Sequence, residues 1–373
     1  MFTEGPNGRR VGVLACREAF FQRRAVRTAL RPPSPTAIDR SRMDRLRDAE
    51  AELVRVFEKA HTKHEANELA RPVMEQLSRD PSFLAAILER YLASPGSLDK
   101  RNYPVVGIPI ALNPSFGLVA NCWIPLPGRE THIATKAIHH HGDMLLSTAT
   151  IFGPGYEHWM FSTPKPVAAG SDTYRMKLLE SAAHPLHHIS FVDAWVAHTP
   201  LYPKALSITL ALWTSRFPVT WRDRAKRIPL FKGRETQLRN LAVRLGLRKK
   251  LDLKVVESFD FFPSDAGFQV MRERKEFELG PNEDHLCSVF HVVQETGNER
   301  LAQTVRRAID QGKVHAGRQT VERLLALLDK GTPIEGKLSV GHYGLPYANF
   351  TRDDIERALS SGKEHDRGRE LAT

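Results

Sequence analysis

Residues 137–159 read AIHHHGDMLLSTATIFGPGYEHW, and four of the chain's sixteen histidines fall in this stretch. In an extended segment successive side chains alternate between two faces, so His139 and His141 point one way and His140 the other. An H-x-H pair on a strand is a two-imidazole clamp, but it does not complete a transition-metal site, and a third ligand has to come from elsewhere. The candidates are His184, His187, His188 and His198 in ESAAHPLHHISFVDAWVAHTPLYPKALSITLALW. Of these, His198 ends a strand-like run and precedes a turn carrying Pro200 and Pro203, a position that suits a ligand at a barrel mouth. Nine of the sixteen histidines lie between His132 and His198, and this clustering favours a metal site over a polar cluster without metal.

The surrounding periodicity sets the fold. VVGIPIAL, GLVANCWIPL, TKAIHHH, LLSTATIF, HWMFSTP, HHISFVDAWVAH and ALSITLALW are short, rich in β-branched and aromatic residues, and separated by Pro, Gly and Asn. Strands at this spacing predict a barrel or double-sheet jelly roll over roughly 103–215. Ahead of it, apolar residues recur at three and four spacing from Ser41 to about Leu92, with Asp80 and Pro81 placed as N-cap and first-turn residue of a helix. Beyond it, LKVVESFDFF and GFQVMRERKEFEL read as a hairpin. Helices follow at about 282–295, 298–311 and 318–329, and a last one is capped by Thr351 and Asp354. The expected fold is mainly β with α, a β-barrel or jelly roll with a helical N-terminal lead-in and a C-terminal α+β extension. The division is 1–40, a disordered Arg-rich extension; 41–215, lead-in plus barrel; 216–252, a basic linker and helix; 253–361, the α+β extension; and 362–373, a disordered tail.

Charge and cysteine content narrow the classes. The net charge of +11 is concentrated between Thr214 and Lys254, where thirteen Lys or Arg face only Asp223, Glu235 and Asp252. There Leu238, Leu241 and Leu245 form the apolar stripe of a short basic amphipathic helix, so 234–250 is a candidate contact for nucleic acid or an anionic surface, weighed against a solvated basic face. Three scattered cysteines indicate neither a disulfide scaffold nor a thiolate metal site, and a reducing cytoplasm is expected. No run is long and apolar enough for a membrane span. The eight arginines of the first forty residues give an acid-poor composition like that of a transit peptide; they are read as an extension, with Met43 as a candidate start.

AIHHHGD, the turn FGPGYE and VAHTPLYPKALSITLALW, preceded by RPVMEQLSRDPSFLAAILERYL and GLVANCWIPLP, together resemble the metal-binding core of cysteine dioxygenase-like cupins over about residues 50–215. The resemblance implies a non-haem Fe(II), with other divalent metals as alternatives, held by His139, His141 and His198. It also implies a small-molecule thiol and O₂ as the reactants. Three neutral imidazoles leave the ion its positive charge and up to three open positions. The family's cross-linkable cysteine is replaced here by the apolar MLLS. Ser207 survives from its Ser-His-Tyr run, whereas the other two positions are Thr209 and Ala211, and Arg101 is displaced from the place of the carboxylate-reading arginine. Cysteine is therefore not the expected substrate. Tyr156, Glu157, Tyr202 and Ser207 are candidate pocket residues.

A second facial triad is open. His141-Gly-Asp143 is an H-x-D unit, and with His198 it resembles the ligand order of 2-oxoglutarate-dependent iron oxygenases, for which Lys204 and Arg216 are weak carboxylate-holding candidates. A third reading is a non-catalytic cupin-like binding or regulatory protein. In the C-terminal part, Asp284, His285, Cys287 and His291 share a predicted helix, but their spacing suits packing and capping better than a ligand set.

Overall fold

The computed structural model describes residues 40–98, 105–135, 137–214, 260–270, 282–297, 299–314, 317–337 and 350–370. Three helices lead in: α1 (Arg40–Lys59), α2 (Lys63–Ser78) and α3 (Pro81–Ala93). Helix α3 starts as its sequence predicts, with the Asp80 carboxylate accepting from the Ser82 N–H at 2.9 Å and Pro81 in the first turn.

Eleven strands then follow, β1 (Val106–Leu112), β2 (Phe116–Trp123), β3 (Ile138–His139), β4 (Leu145–Phe152), β5 (Glu157–Phe161), β6 (Lys165–Pro166), β7 (Thr173–Arg175), β8 (Leu178–Ala183), β9 (Ile189–Val192), β10 (Ala197–Pro200) and β11 (Ser207–Thr214). A hairpin of β12 (Asp260–Ser264) and β13 (Gly267–Val270) precedes the helices α4 (Asn282–Glu295), α5 (Glu299–Asp310), α6 (Arg318–Asp329) and α7 (Arg352–Glu370). The capping box at α7 forms as read: the Asp354 carboxylate accepts from the Thr351 N–H, and Thr351 Oγ1 accepts from the Asp354 N–H.

The strands form two antiparallel sheets, one of five in the order β1-β2-β11-β4-β9 and one of eight in the order β6-β7-β13-β12-β3-β10-β5-β8. Their inner faces meet: Met160 of the larger sheet packs with Leu146, Val192, Ala211 and Trp213 of the smaller. The fold is thus mainly β, a cupin-type double sheet with helical N- and C-terminal parts. Both outer faces are covered. Leu118, Ala120, Ile208, Leu210 and Leu212 of the small sheet bury against the lead-in helices and α4–α6, while Ile138, Trp159, Phe161, Phe261 and Phe268 of the large sheet bury against Ile355 and Ala358 of α7. No described helix is long and apolar enough to cross a membrane.

Three findings differ from the sequence pattern. The run HHISFVDAWVAH is two strands in different sheets, β9 and β10, divided where Trp195 takes a positive φ of 65°. The stretch 165–183 supplies β6, β7 and β8, none of whose residues is buried, so the alternation by which strands are recognised is missing there. The hairpin placed in a C-terminal extension is part of the barrel wall, since β12 pairs directly with β3. The Arg-rich N-terminus, the basic segment 216–252 with its helix at 234–250, and Arg101 and Arg216 lie outside the described residues.

One buried amide ties the lead-in to the barrel. Asn67 of α2 donates through Nδ2 to Thr214 Oγ1 at 2.7 Å and to the Lys63 carbonyl at 2.9 Å, and its Oδ1 accepts from Ser147 Oγ at 2.9 Å. Truncation leaves two hydroxyls of the sheet without these partners in a dry interface. Asn67→Ala is expected to lower stability by about 2–3 kcal/mol in urea denaturation.

Candidate metal centre

Three backbone elements bring the histidines together. Strand β3 is only two residues long, yet it is paired on both sides, His139 lying opposite His198 of β10 and opposite Asp260 of β12. Residues directly opposite in an antiparallel pair share a face, so the His139 and His198 side chains enter the barrel from neighbouring strands. His141 lies past the end of β3, in the segment that turns at Gly142 (φ 65°). The H-x-H clamp is therefore half strand and half turn, rather than one strand as its spacing suggests.

The three imidazoles form a nearly equilateral triangle, with ring centroids 4.8 Å apart for His139–His141, 4.7 Å for His139–His198 and 4.8 Å for His141–His198. Each offers one ligand nitrogen, and these lie within 4.8 Å of one another; this is the one such group of three among the described residues. The Nε2 atoms of His141 and His198 are 3.2 Å apart. Two nitrogens bound at about 2.0–2.1 Å to one ion stand about 2.9 Å apart at a right angle and about 3.4 Å apart at the tetrahedral angle. The observed spacing falls between these. His139 Nδ1 is 3.1 Å from the Ala137 carbonyl, so as an N–H it donates there and leaves Nε2 unprotonated. Burial, reinforced by the neighbouring imidazoles, holds His141 and His198 well below the ordinary histidine range, in the neutral form that binds metal. The donor set fits a divalent transition metal.

His140 turns away as its alternation predicts. It is buried against Trp195 and Phe261, and its Nδ1 accepts from the Gly142 N–H at 3.1 Å. Asp143 is not brought into the cluster; its carboxylate is 61% exposed and pairs with Lys63 Nζ at 3.1 Å. Among the pocket candidates, Tyr156 and Tyr202 are buried together with Trp123 and Ala134. Burial pushes the Tyr156 hydroxyl up to about 12 despite its hydrogen bonds to Thr148 and Thr209. Glu157 lies outside the interior, where it accepts from Trp159 Nε1 and pairs with Arg352 of α7. Ser207 is a turn clamp: its Oγ accepts from the Gly155 N–H and donates to the Gly155 carbonyl. Gly155 itself, at φ 82°, admits no side chain, because a Cβ there would stand 1.7 Å from the His184 carbonyl oxygen. In the C-terminal part, His285 faces the Ser97 carbonyl and His291 the Ile334 carbonyl, both serving to join segments.

Sequence reasoning passed over His158, which sits in the opening stretch but pairs in register with Pro200 and points inward with Met160. Its ring lies 5.2 Å from His198 and 4.8 Å from His184, which stacks at 4.7 Å on the half-buried His188. A column of imidazoles thus leads from the ligand set towards the surface. Asp260 was also missed, its only signal being a single acid set between Phe259 and Phe261 in a strand-like run.

No family model matches the chain, and no curated protein matches it in sequence. Among solved structures, the cupin domain of Schizosaccharomyces pombe Cnp3 is similar over 36% of this chain and 78% of its own, at 9% identity and a TM-score of 0.23. A cupin-2 domain from Rhodospirillum rubrum is similar over 38% and 76%, at 15% identity and a TM-score of 0.20. Hydroxypropylphosphonic acid epoxidase from S. wedmorenis is similar over 31% and 55%, at 14% identity and a TM-score of 0.20, so this chain spans about half of that enzyme's length.

The buried imidazoles set an acid limit on stability. Burial, with a smaller contribution from His188, lowers His184 to about 4, below the ordinary histidine value of about 6.5. Between those values the unfolded chain binds a proton that the folded chain refuses, so stability falls as pH drops through 6.5 and is fully lost for this group below 4. His184 alone is expected to remove about 2 kcal/mol between pH 7 and pH 5. In urea denaturation of the metal-free protein, His184→Phe should show a shallower loss over that interval than the wild type.

Proposed function

We propose that the protein is an iron-dependent oxygenase of a small molecule, with Fe(II) held by His139, His141 and His198 and a thiol as the favoured substrate class. The observation that carries this reading is the triangle of neutral, inward-facing imidazoles, one of them oriented by a backbone carbonyl. Bound Fe(II) supplies a Lewis-acidic centre with positions open to substrate and O₂. Because all three ligands are neutral, the ion keeps its full charge, which favours an anionic donor such as a thiolate.

The chain's own residues do the rest. Trp213 sets its ring edge against His141, at 4.3 Å between centroids and 86° between planes, and fixes that imidazole from the opposite sheet. With Met160, Leu146, Val192 and Ala211 it makes one side of the interior apolar and excludes water there. Tyr156, Thr148, Thr209 and the Trp123 Nε1–H, which donates to Thr209 Oγ1 at 2.9 Å, line a hydroxyl-rich side. A substrate can place its reacting atom at the metal and a polar group towards these hydroxyls. The alternative H-x-D set has less support, since Asp143 is engaged with Lys63 at the surface.

Protein purified without oxygen is expected to carry near-stoichiometric iron that His139→Ala and His198→Ala lose while remaining folded, and that Asp143→Asn keeps. Oxygen uptake with thiols should follow the iron. A folded wild type without metal would defeat the proposal, and loss of metal from Asp143→Asn as complete as from His139→Ala would shift it to the 2-oxoglutarate class.

A further inference from the structure

We propose that His158 is the hydrogen-bonding residue for the metal's non-protein ligand, and that this ligand is an anion with an acceptor atom one or two bonds beyond the atom on the metal. The inference rests on the metal reading above and adds to it the group that orients what the ion receives. In the β10–β5 pair His198 lies opposite Met160 and Pro200 opposite His158, so His158, two residues from Met160, shares the inward face of His198. Met160 confirms the direction, since it packs with Leu146, Val192, Ala211 and Trp213 of the opposite sheet. The His158 ring is 5.2 Å from that of His198 and 6.1 Å from that of Tyr156, and so adjoins both the ligand set and the hydroxyl-rich side. His184 packs against it at 4.8 Å, and Ala182, its partner on β8, offers no hydrogen-bonding side chain.

His158 is 5% exposed, and its Nδ1 is buried without a hydrogen-bond partner among the described residues. Buried polar nitrogens are nearly always paired, and one left unpaired costs free energy that a phenylalanine in the same place would not. The polar groups around it are matched among themselves. Tyr156 bonds to Thr148 and Thr209, the Trp123 Nε1–H to Thr209, and His139 Nδ1 to the Ala137 carbonyl. His158 is not one of the three histidines whose nitrogens converge, so it reaches what sits on the ion rather than the ion itself. Strands β1–β5 and β8–β13 contain no lysine or arginine, and none of them can meet an anion with a cation. The ion then supplies the charge that draws the anion, and the His158 N–H supplies the direction in which its far atom lies.

The test is anion binding to the full chain loaded with Co(II), followed by its ligand-field absorption. The probes are azide, whose far nitrogen accepts a hydrogen bond, and chloride, which has no second atom. His158→Phe is expected to hold as much cobalt as the wild type and to bind azide about tenfold more weakly, with its chloride affinity unchanged. His158→Leu, a smaller side chain that also lacks a donor, should behave in the same way, and His158→Gln should restore most of the azide affinity. The antisymmetric stretch of bound azide should differ between the wild type and His158→Phe. Equal azide affinity in those two proteins would overturn the inference, as would an equal loss for azide and chloride, which marks a general distortion of the site. So would full cobalt loading of the wild type with no azide bound, or a folded His158→Phe that holds no cobalt, which would make His158 a ligand. If the folded wild type takes up no cobalt, the metal reading itself fails and this inference falls with it.

Discussion

The centre of this protein depends on one pairing, His139 of β3 against His198 of β10. A strand alternates its faces with a period of two, so a slip of one residue in that pair would carry an imidazole out of the barrel and into the apolar layer under α7. The layer resists such a slip. Ile138 and Ala197, the neighbours of the two histidines, are both fully buried in the outer-face core, and exchanging either for an imidazole would bury a polar ring among Trp159, Phe161 and Phe261. Hydrophobic burial on one face thus fixes the position of the imidazole nitrogens on the other.

The two sheets are loaded asymmetrically. The small sheet buries its outer face under the lead-in helices and α4–α6, which form one continuous core with it. The large sheet carries the histidines and, among the described residues, is covered by α7, which is held at its start by the Arg352–Glu157 pair. A rigid backing behind the small sheet lets Trp213 act as a fixed stop for His141. The ligand-bearing strands can then be short, β3 being two residues, because their neighbours determine their geometry.

Much of this was legible in residues. The helical periods, the caps at Asp80 and Thr351, and most inner strands follow from alternation and turn chemistry, and the three histidines that converge are those that the H-x-H spacing, the place of His198 and the resemblance picked out. What escaped did so for physical reasons. Strands β6 to β8 contain no buried residue and so no alternation to betray them, and β9 and β10 form one run whose division depends on a positive φ at Trp195, a residue type that seldom adopts it. Lone polar residues in strands, such as His158 and Asp260, carry no local sign of which face they take. Pairing register supplies that sign, and register between distant segments is a tertiary fact.

The pairing of β12 with β3 shows why the histidine cluster cannot be assigned to the central β-segment by itself. The H-x-H stretch and His198 both precede the basic segment, whereas β12, which closes the far side of β3, follows it. Without β12 the two-residue β3 would have a bare edge beside His139, open to water at the point where the site needs a wall. Joining distant strands across a long connection costs little in closure entropy, because that cost rises only with the logarithm of loop length. It does, however, make completion of the centre dependent on a long-range pairing, and such contacts form late in folding. The histidine cluster and the C-terminal hairpin are therefore one structural unit, separated in the chain and joined by register.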